Sequence, residues 1–217
     1  MDSPTKIKFC GLRSSLDVQL ALKLKVDYVG CIYVKDTPRY ISFNDSKKII
    51  DKFYENINFI GVFLNNSDDY IEKGVKCGIN FIQLHGNETP TRCKEIKNRF
   101  NLPIIKAIPI FEQKDILEAK KYNDYCDMFL FDTKINSKNV HNGGTGKSFD
   151  WKIIKNNKRW LENLKPWILS GGLTTNNINK AIEITETKYV DVSSGIEYNL
   201  GKKSHKLMKQ FVLNTKI

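Results

Sequence analysis

The chain has 217 residues, 41% hydrophobic and 27% charged, with a formal net charge of +11. That size suits one large domain with a real core, and no run approaches the ~18–20 apolar residues of a membrane span. Of the 35 basic residues 30 are lysine, scattered among 21 asparagines with no basic block and no interleaved aromatic motif, so the charge reads mainly as compositional bias rather than a nucleic-acid site, and it favours a multiply anionic small substrate.

The N-terminal "MDSPTKIKF" lacks the apolar centre of a signal peptide and enters strand-like sequence at once, which predicts a soluble cytoplasmic protein. From there a short β-branched or aromatic run alternates with a longer amphipathic stretch. The strand-like runs are "KIKFCG", "VDYVGCIYV", "INFIGVFLN", "INFIQLHG", "LPIIKAIP", "DMFLFDTK", "KPWILSGG" and "KYVDVSSG". The helical stretches between them are Leu16–Lys25, Asn44–Glu55, Asp68–Cys77, Pro90–Phe100, Lys114–Lys121, Asp150–Leu164, Asn176–Glu186 and Ser204–Leu213. Thr89 before Pro90, Thr175 before Asn176 and Ser67 before Asp68 and Asp69 supply helix-start signals. Eight strand–helix pairs in one register imply parallel strands with crossover helices. The fold class is α/β, a single (β/α)8 TIM barrel over residues 1–217, with a doubly wound open sheet as the alternative. One long connection, "INSKNVHNGGTGKS" at 135–148, has the length and glycine content of a mobile active-site loop.

Five cysteines (Cys10, Cys31, Cys77, Cys93, Cys126) are odd in number and widely spaced, with no C-x-x-C. They frame neither a disulfide scaffold nor a zinc site, and most read as small buried hydrophobes. Barrel sites sit at the C-terminal strand ends, which selects a short set of residues. Cys10 ends the first strand, Arg39 follows the second, His85 ends the fourth and Asp132 the sixth. Gly171 and Gly172 after the seventh strand, with Ser193, Ser194 and Gly195 after the eighth, form a cradle whose backbone N–H groups can approach a phosphate, helped by a short helix start. Arg39 is either a solvated loop arginine or a fork for a carboxylate. Asp132, flanked by apolar residues, is either a desolvated general acid or a carboxylate tied to Lys134 or backbone. His85 is either a site-orienting or proton-carrying group or a structural residue.

The segments "KFCGL", "TPRYIS", "GVFLN", "QLHGNE", "DTK", "GGTGKSFDW", "LSGGL" and "DVSSGIE" occur in that order between Lys8 and Glu197. As a set they resemble phosphoribosylanthranilate isomerase, an enzyme of tryptophan biosynthesis. The resemblance implies an Amadori rearrangement of an aldosamine to a ketosamine, with no metal and no organic cofactor. It implies Asp132 as general acid, Cys10 as general base, Arg39 holding a carboxylate, and substrate contacts from His85, Gly143, Gly144, Gly171, Gly172, Ser193, Ser194 and Gly195. The implied partner is a small molecule carrying phosphate and carboxylate, with no nucleic acid and no membrane, acting on a monomer or homodimer. The pattern departs at Phe9, in "CIYVKDTPR", which lacks an aromatic after Gly30, and in "YNLGKKSH" after Glu197. No synthase barrel is fused at either end, so a monofunctional enzyme is expected. A related phosphate-binding barrel, such as an indole-glycerol-phosphate synthase or a ribulose-phosphate epimerase, is the enzyme alternative. A metal-dependent version fits poorly, because only His85 of the three histidines (His85, His141, His205) ends a strand. A catalytically silent basic barrel that binds nucleic acid or protein is the alternative of another class.

Overall fold

The computed structural model describes residues 4–134 and 148–215. Eight parallel strands close into a barrel in sequence order, β1 (Lys6–Cys10), β2 (Tyr28–Ile32), β3 (Asn58–Phe63), β4 (Phe81–Leu84), β5 (Ile104–Ile110), β6 (Met128–Thr133), β7 (Trp167–Leu169) and β8 (Tyr189–Val192). The β1–β8 pairing seals the ring, with Lys8 opposite Asp191 and Phe9 opposite Val192. Closure removes both sheet edges and decides against the open doubly wound sheet.

Side-chain direction alternates along each strand. Phe129 and Phe131 of β6 and Ile104 and Ile108 of β5 point outward, into the apolar layer between barrel and helices. Ile105, Ala107, Met128, Leu130, Ile60 and Ile168 fill the lower barrel interior. The same inward-facing set continues upward as Cys10, Gln83, Asp132, Ser170 and Asp191, so aliphatic packing gives way to polar groups near the C-terminal rim.

The outer helices are α1 (Ser15–Lys23), α2 (Phe43–Phe53), α3 (Asp68–Val75), α4 (Pro90–Phe100), α5 (Gln113–Leu117), α6 (Lys152–Asn156), α7 (Lys158–Leu161), α8 (Ile178–Thr185) and α9 (His205–Thr215). None of the described helices is long and apolar enough to cross a membrane. The cap at Thr89 forms, its hydroxyl accepting from Arg92 N at 3.2 Å. Ser67 stands before α3 without a side-chain cap bond. Thr175 gives way to Asn177, whose Oδ1 instead accepts from Thr174 N at 2.7 Å, and α8 starts at Ile178.

Two expected helices come out differently. The stretch 150–164 is not one helix: Asn157, at φ −110° and ψ 15°, separates α6 from α7. Its amide donates to Ile153 O at 2.7 Å, a local bond of the kind that lets asparagine compete with helix propagation. The expected Lys114–Lys121 helix shortens to α5 followed by a 3₁₀ segment, Glu118–Tyr122. After β8 comes one three-residue 3₁₀ turn, Ser194–Ile196, then a small antiparallel hairpin, β9 (Glu197–Asn199) and β10 (Lys202–Lys203). The strand alternation gives no sign of that hairpin.

Candidate active site

A cavity of about 490 Å³ opens at the C-terminal end of the barrel, within the ordinary range for small-molecule sites. Its wall includes Cys10, Arg39, His85, Asp132, Gly171, Gly172, Ser193 and Ser194. The structure therefore brings together eight of the residues selected from sequence. Gly195 closes the same loop one residue further on. Gly143, Gly144 and the 135–147 part of the long connection lie outside the described residues.

Asp132 and His85 face each other. Asp132 Oδ1 accepts from Thr133 N at 2.7 Å, and His85 Nε2 stands 3.3 Å from Asp132 Oδ2. Gln83, two residues before His85 on the same inward face, puts its amide Nε2 2.9 Å from His85 Nδ1. The imidazole is thus held between the Gln83 amide and the Asp132 carboxyl. The expected desolvation of Asp132 is not what the site provides: its side chain is 30% exposed. Of the alternative ties, the one to backbone is present, from Thr133 N, while Lys134 pairs with Asp115 at 3.4 Å instead. The loop just after His85 is anchored from below by Glu88. Its carboxylate accepts from Asn65 N at 2.8 Å, Gly86 N at 3.0 Å and buried Lys106 Nζ at 2.9 Å.

Arg39 is buried and already engaged. Its Nε and one Nη donate to the Glu197 carboxylate at 2.8 and 2.9 Å. Glu197 also accepts from Lys203 Nζ at 2.8 Å and Gly201 N at 3.1 Å. Burial pushes the Glu197 carboxyl up, but the Arg39 and Lys203 hydrogen bonds outweigh it and hold the group below the usual glutamate range. Lys203 Nζ further donates to Ser193 O at 2.9 Å, and Ser193 Oγ donates to Cys10 O at 3.1 Å. The β9–β10 hairpin thus ties the arginine side of the cavity to the loop after β8. Sequence reasoning missed Lys203 as a site residue, although the departure at "YNLGKKSH" marks the segment that carries it.

The two glycine loops pack on one another at the rim. Gly171 has φ +86°, and a Cβ there would lie 2.3 Å from Thr133 Oγ1. A Cβ on Gly195 would lie 1.9 Å from Leu173 O. Only glycine lets the loops after β7 and β8 approach this closely, and backbone N–H groups in such loops suit an anion.

Cys10 ends β1 beneath these loops, buried at 6% exposure. All five cysteines are free and buried. Burial pushes the thiols of Cys31 and Cys126 up to about 12 and that of Cys93 up to about 11. Cys10 is pushed up as well, but it stands among the interior charges of Lys8, Asp191 and Lys203.

Comparison with known proteins gives one consistent result. Residues 7–214 match the family described as N-(5'phosphoribosyl)anthranilate (PRA) isomerase. The chain is 33% identical over 208 residues to the N-(5'-phosphoribosyl)anthranilate isomerase of Zymomonas mobilis, covering 95% of this chain and 96% of that protein. Its fold superposes on the crystal structure of the phosphoribosyl anthranilate isomerase from Thermotoga maritima with a TM-score of 0.87, at 31% identity and 98% coverage of each chain. A second solved phosphoribosyl anthranilate isomerase, in complex with reduced 1-(o-carboxyphenylamino)-1-deoxyribulose 5-phosphate, superposes with a TM-score of 0.83 at 29% identity and 98% coverage of each chain. A match spanning nearly the whole chain, on a closed barrel with Cys10 and Asp132 in one rim cavity, establishes that this chain belongs to the N-(5'-phosphoribosyl)anthranilate isomerase family.

Proposed function

We propose that this protein isomerises N-(5'-phosphoribosyl)anthranilate to the corresponding 1-amino-1-deoxyribulose phosphate in tryptophan biosynthesis, using Asp132 and Cys10 as general acid and general base. The observation that carries the reading is the composition of one cavity wall. A carboxyl with a histidine beside it comes from β6 and β4, a buried thiol from β1, an arginine from the loop after β2, and glycine–serine loops from β7 and β8. A furanose linking a carboxylate to a phosphate has a counterpart there for each part.

In this mechanism Asp132 donates a proton to the ring oxygen as the C1–O bond breaks, and the anthranilate nitrogen lone pair forms the Schiff base. His85, whose Nε2 stands 3.3 Å from Asp132 Oδ2, carries protons to and from the Asp132 carboxyl. The Cys10 thiolate removes the sugar C2 proton, and the electron pair left behind neutralises the imine nitrogen to give the enolamine. Protonation at C1 with loss of the O2 proton yields the ketone, so no net proton is consumed. Arg39, fixed by Glu197, supplies positive charge for the anthranilate carboxylate. The loops at 171–173 and 193–195 hold the phosphate. Anchoring both anionic ends places C2 and the ring oxygen between the two catalytic groups, which is the positioning contribution to rate.

The test is turnover of phosphoribosylanthranilate generated in situ, followed by loss of its fluorescence. Purified protein is expected to consume it, and inorganic phosphate to raise KM while leaving kcat unchanged. Absence of turnover contradicts the reading, and phosphate without effect on KM contradicts the assignment of the two loops.

A further inference from the structure

The charged groups within the barrel have not been used by the mechanism. Lys8 is 1% exposed and Asp191 6%. They are cross-strand neighbours on β1 and β8, joined by Lys8 Nζ donating to Asp191 Oδ1 at 2.8 Å. Ser170 Oγ donates to Asp191 Oδ2 at 3.0 Å. Both strands point these side chains inward, directly above the aliphatic layer of Ile105, Leu130 and Ile168. A buried ion pair in such a place is commonly no better for stability than apolar residues of the same volume, because desolvation consumes its Coulombic gain. Filling the barrel therefore does not by itself account for the pair.

Cys10 is two residues beyond Lys8 on the same face of β1, and the Lys8 ammonium interacts with the thiol as well as with Asp191. The sulfur rests on backbone: a Cβ on Gly30 of β2 would meet Cys10 Sγ at 2.7 Å. It is thus packed on its β2 side, open only toward the cavity, and dependent on nearby charge. We propose that Lys8, held by an Asp191 that Ser170 fixes in turn, is the fixed counter-charge of the Cys10 thiolate, a positioning residue that sets how readily the thiol gives up its proton.

The groups facing Cys10 are Lys8 on its own strand, Asp191 on β8 and Lys203 on β10, with Cys31 of β2 turned to the outer layer and Arg39, His85 and Asp132 elsewhere on the cavity wall. Burial pushes the thiol up, Lys8 is the largest influence opposing it, Asp191 acts with burial, and Lys203 acts with Lys8. Burial disfavours the Lys8 charge too, but Asp191 and the thiol overcome it and keep Lys8 an ammonium. The sign follows: neutralising Lys8 raises the pH at which the thiolate forms. Because Lys8 outweighs Asp191, removing both charges leaves a smaller shift in the same direction.

The inference rests on the general-base reading of Cys10, and its test separates the two. Carbamidomethylation of Cys10 by iodoacetamide is followed by mass spectrometry as a function of pH in wild type, Lys8→Met and Lys8→Met/Asp191→Asn, with Cys10→Ala as the blank. The expected result is an upward displacement of the reactivity limb in both variants. In Lys8→Met it amounts to about one pH unit, or roughly tenfold slower labelling at a pH below the limb. The double variant leaves no unpaired buried carboxylate and carries the test if the single one does not fold. Limbs that superimpose on wild type overturn the proposal. The pH dependence of kcat/KM is measured on the same samples. A labelling limb that moves while the kcat/KM limb stays put leaves the counter-charge in place and overturns the general-base role instead.

Discussion

Asp132→Asn is expected to lower kcat about 10²–10⁴-fold, the usual contribution of a positioned general acid, with little change in the affinity for a ketosamine phosphate product analogue. Asparagine keeps an oxygen for the Thr133 N–H, now bonded at 2.7 Å, so the loop after β6 holds its shape while the transferable proton is lost. The carboxyl is open to the cavity and flanked by His85 Nε2 at 3.3 Å. A proton given to the ring oxygen can then be replaced through the histidine once product leaves. Steady-state kinetics of phosphoribosylanthranilate loss, with titration of the analogue, checks both parts. A variant that binds normally and turns over near the wild-type rate removes Asp132 from the mechanism.

Glu197→Gln is expected to be the most damaging substitution for stability among the site residues. The carboxylate is 5% exposed and faces Arg39 and Lys203, whose side chains are 8% and 1% exposed. Neutralising it removes the buried carboxylate that both cations face, a break in a buried ion pair that costs about 3–5 kcal/mol, or roughly 6–20 °C in Tm for a chain of this size. The pH dependence follows from the lowered Glu197 carboxyl. A carboxyl depressed in the folded state stabilises the fold above its unfolded value of ~4.3 and loses that contribution as pH falls through the folded value. Thermal melts should show the wild-type advantage over Glu197→Gln in full at neutral pH and shrinking in acid. The same variant should raise KM, because Arg39 keeps at most one of the two hydrogen bonds that aim it. Equal melting curves at neutral pH contradict this picture of the network.

The barrel was legible because its signals are local. Period-two runs ending in Cys10, His85, Asp132 and the two glycine loops put chemistry at one end of the strands, and the closed topology delivers all of them to one cavity. What escaped notice depends on pairs far apart in sequence. Lys8 with Asp191 spans 183 positions and Arg39 with Glu197 spans 158, and no periodicity reports a partner at that distance. Lys8 nonetheless carried a signal, since a lysine two residues before Cys10 shares its inward face. The break at Asn157 goes with a local side-chain hydrogen bond that competes with a helix the apolar spacing would otherwise continue. For Arg39, the bidentate fork inferred from residue type exists, but the structure shows it spent on Glu197.

The central claim is that Cys10, a thiol buried at 6% exposure, is the base that takes the sugar C2 proton. It is tested most directly by comparing phosphoribosylanthranilate turnover in wild type and Cys10→Ala under the same conditions, with the fold of each verified by thermal melting. The account predicts active wild type and a variant that melts normally, binds the product analogue and is slower by about 10²-fold or more. A folded Cys10→Ala protein working near the wild-type rate would contradict it.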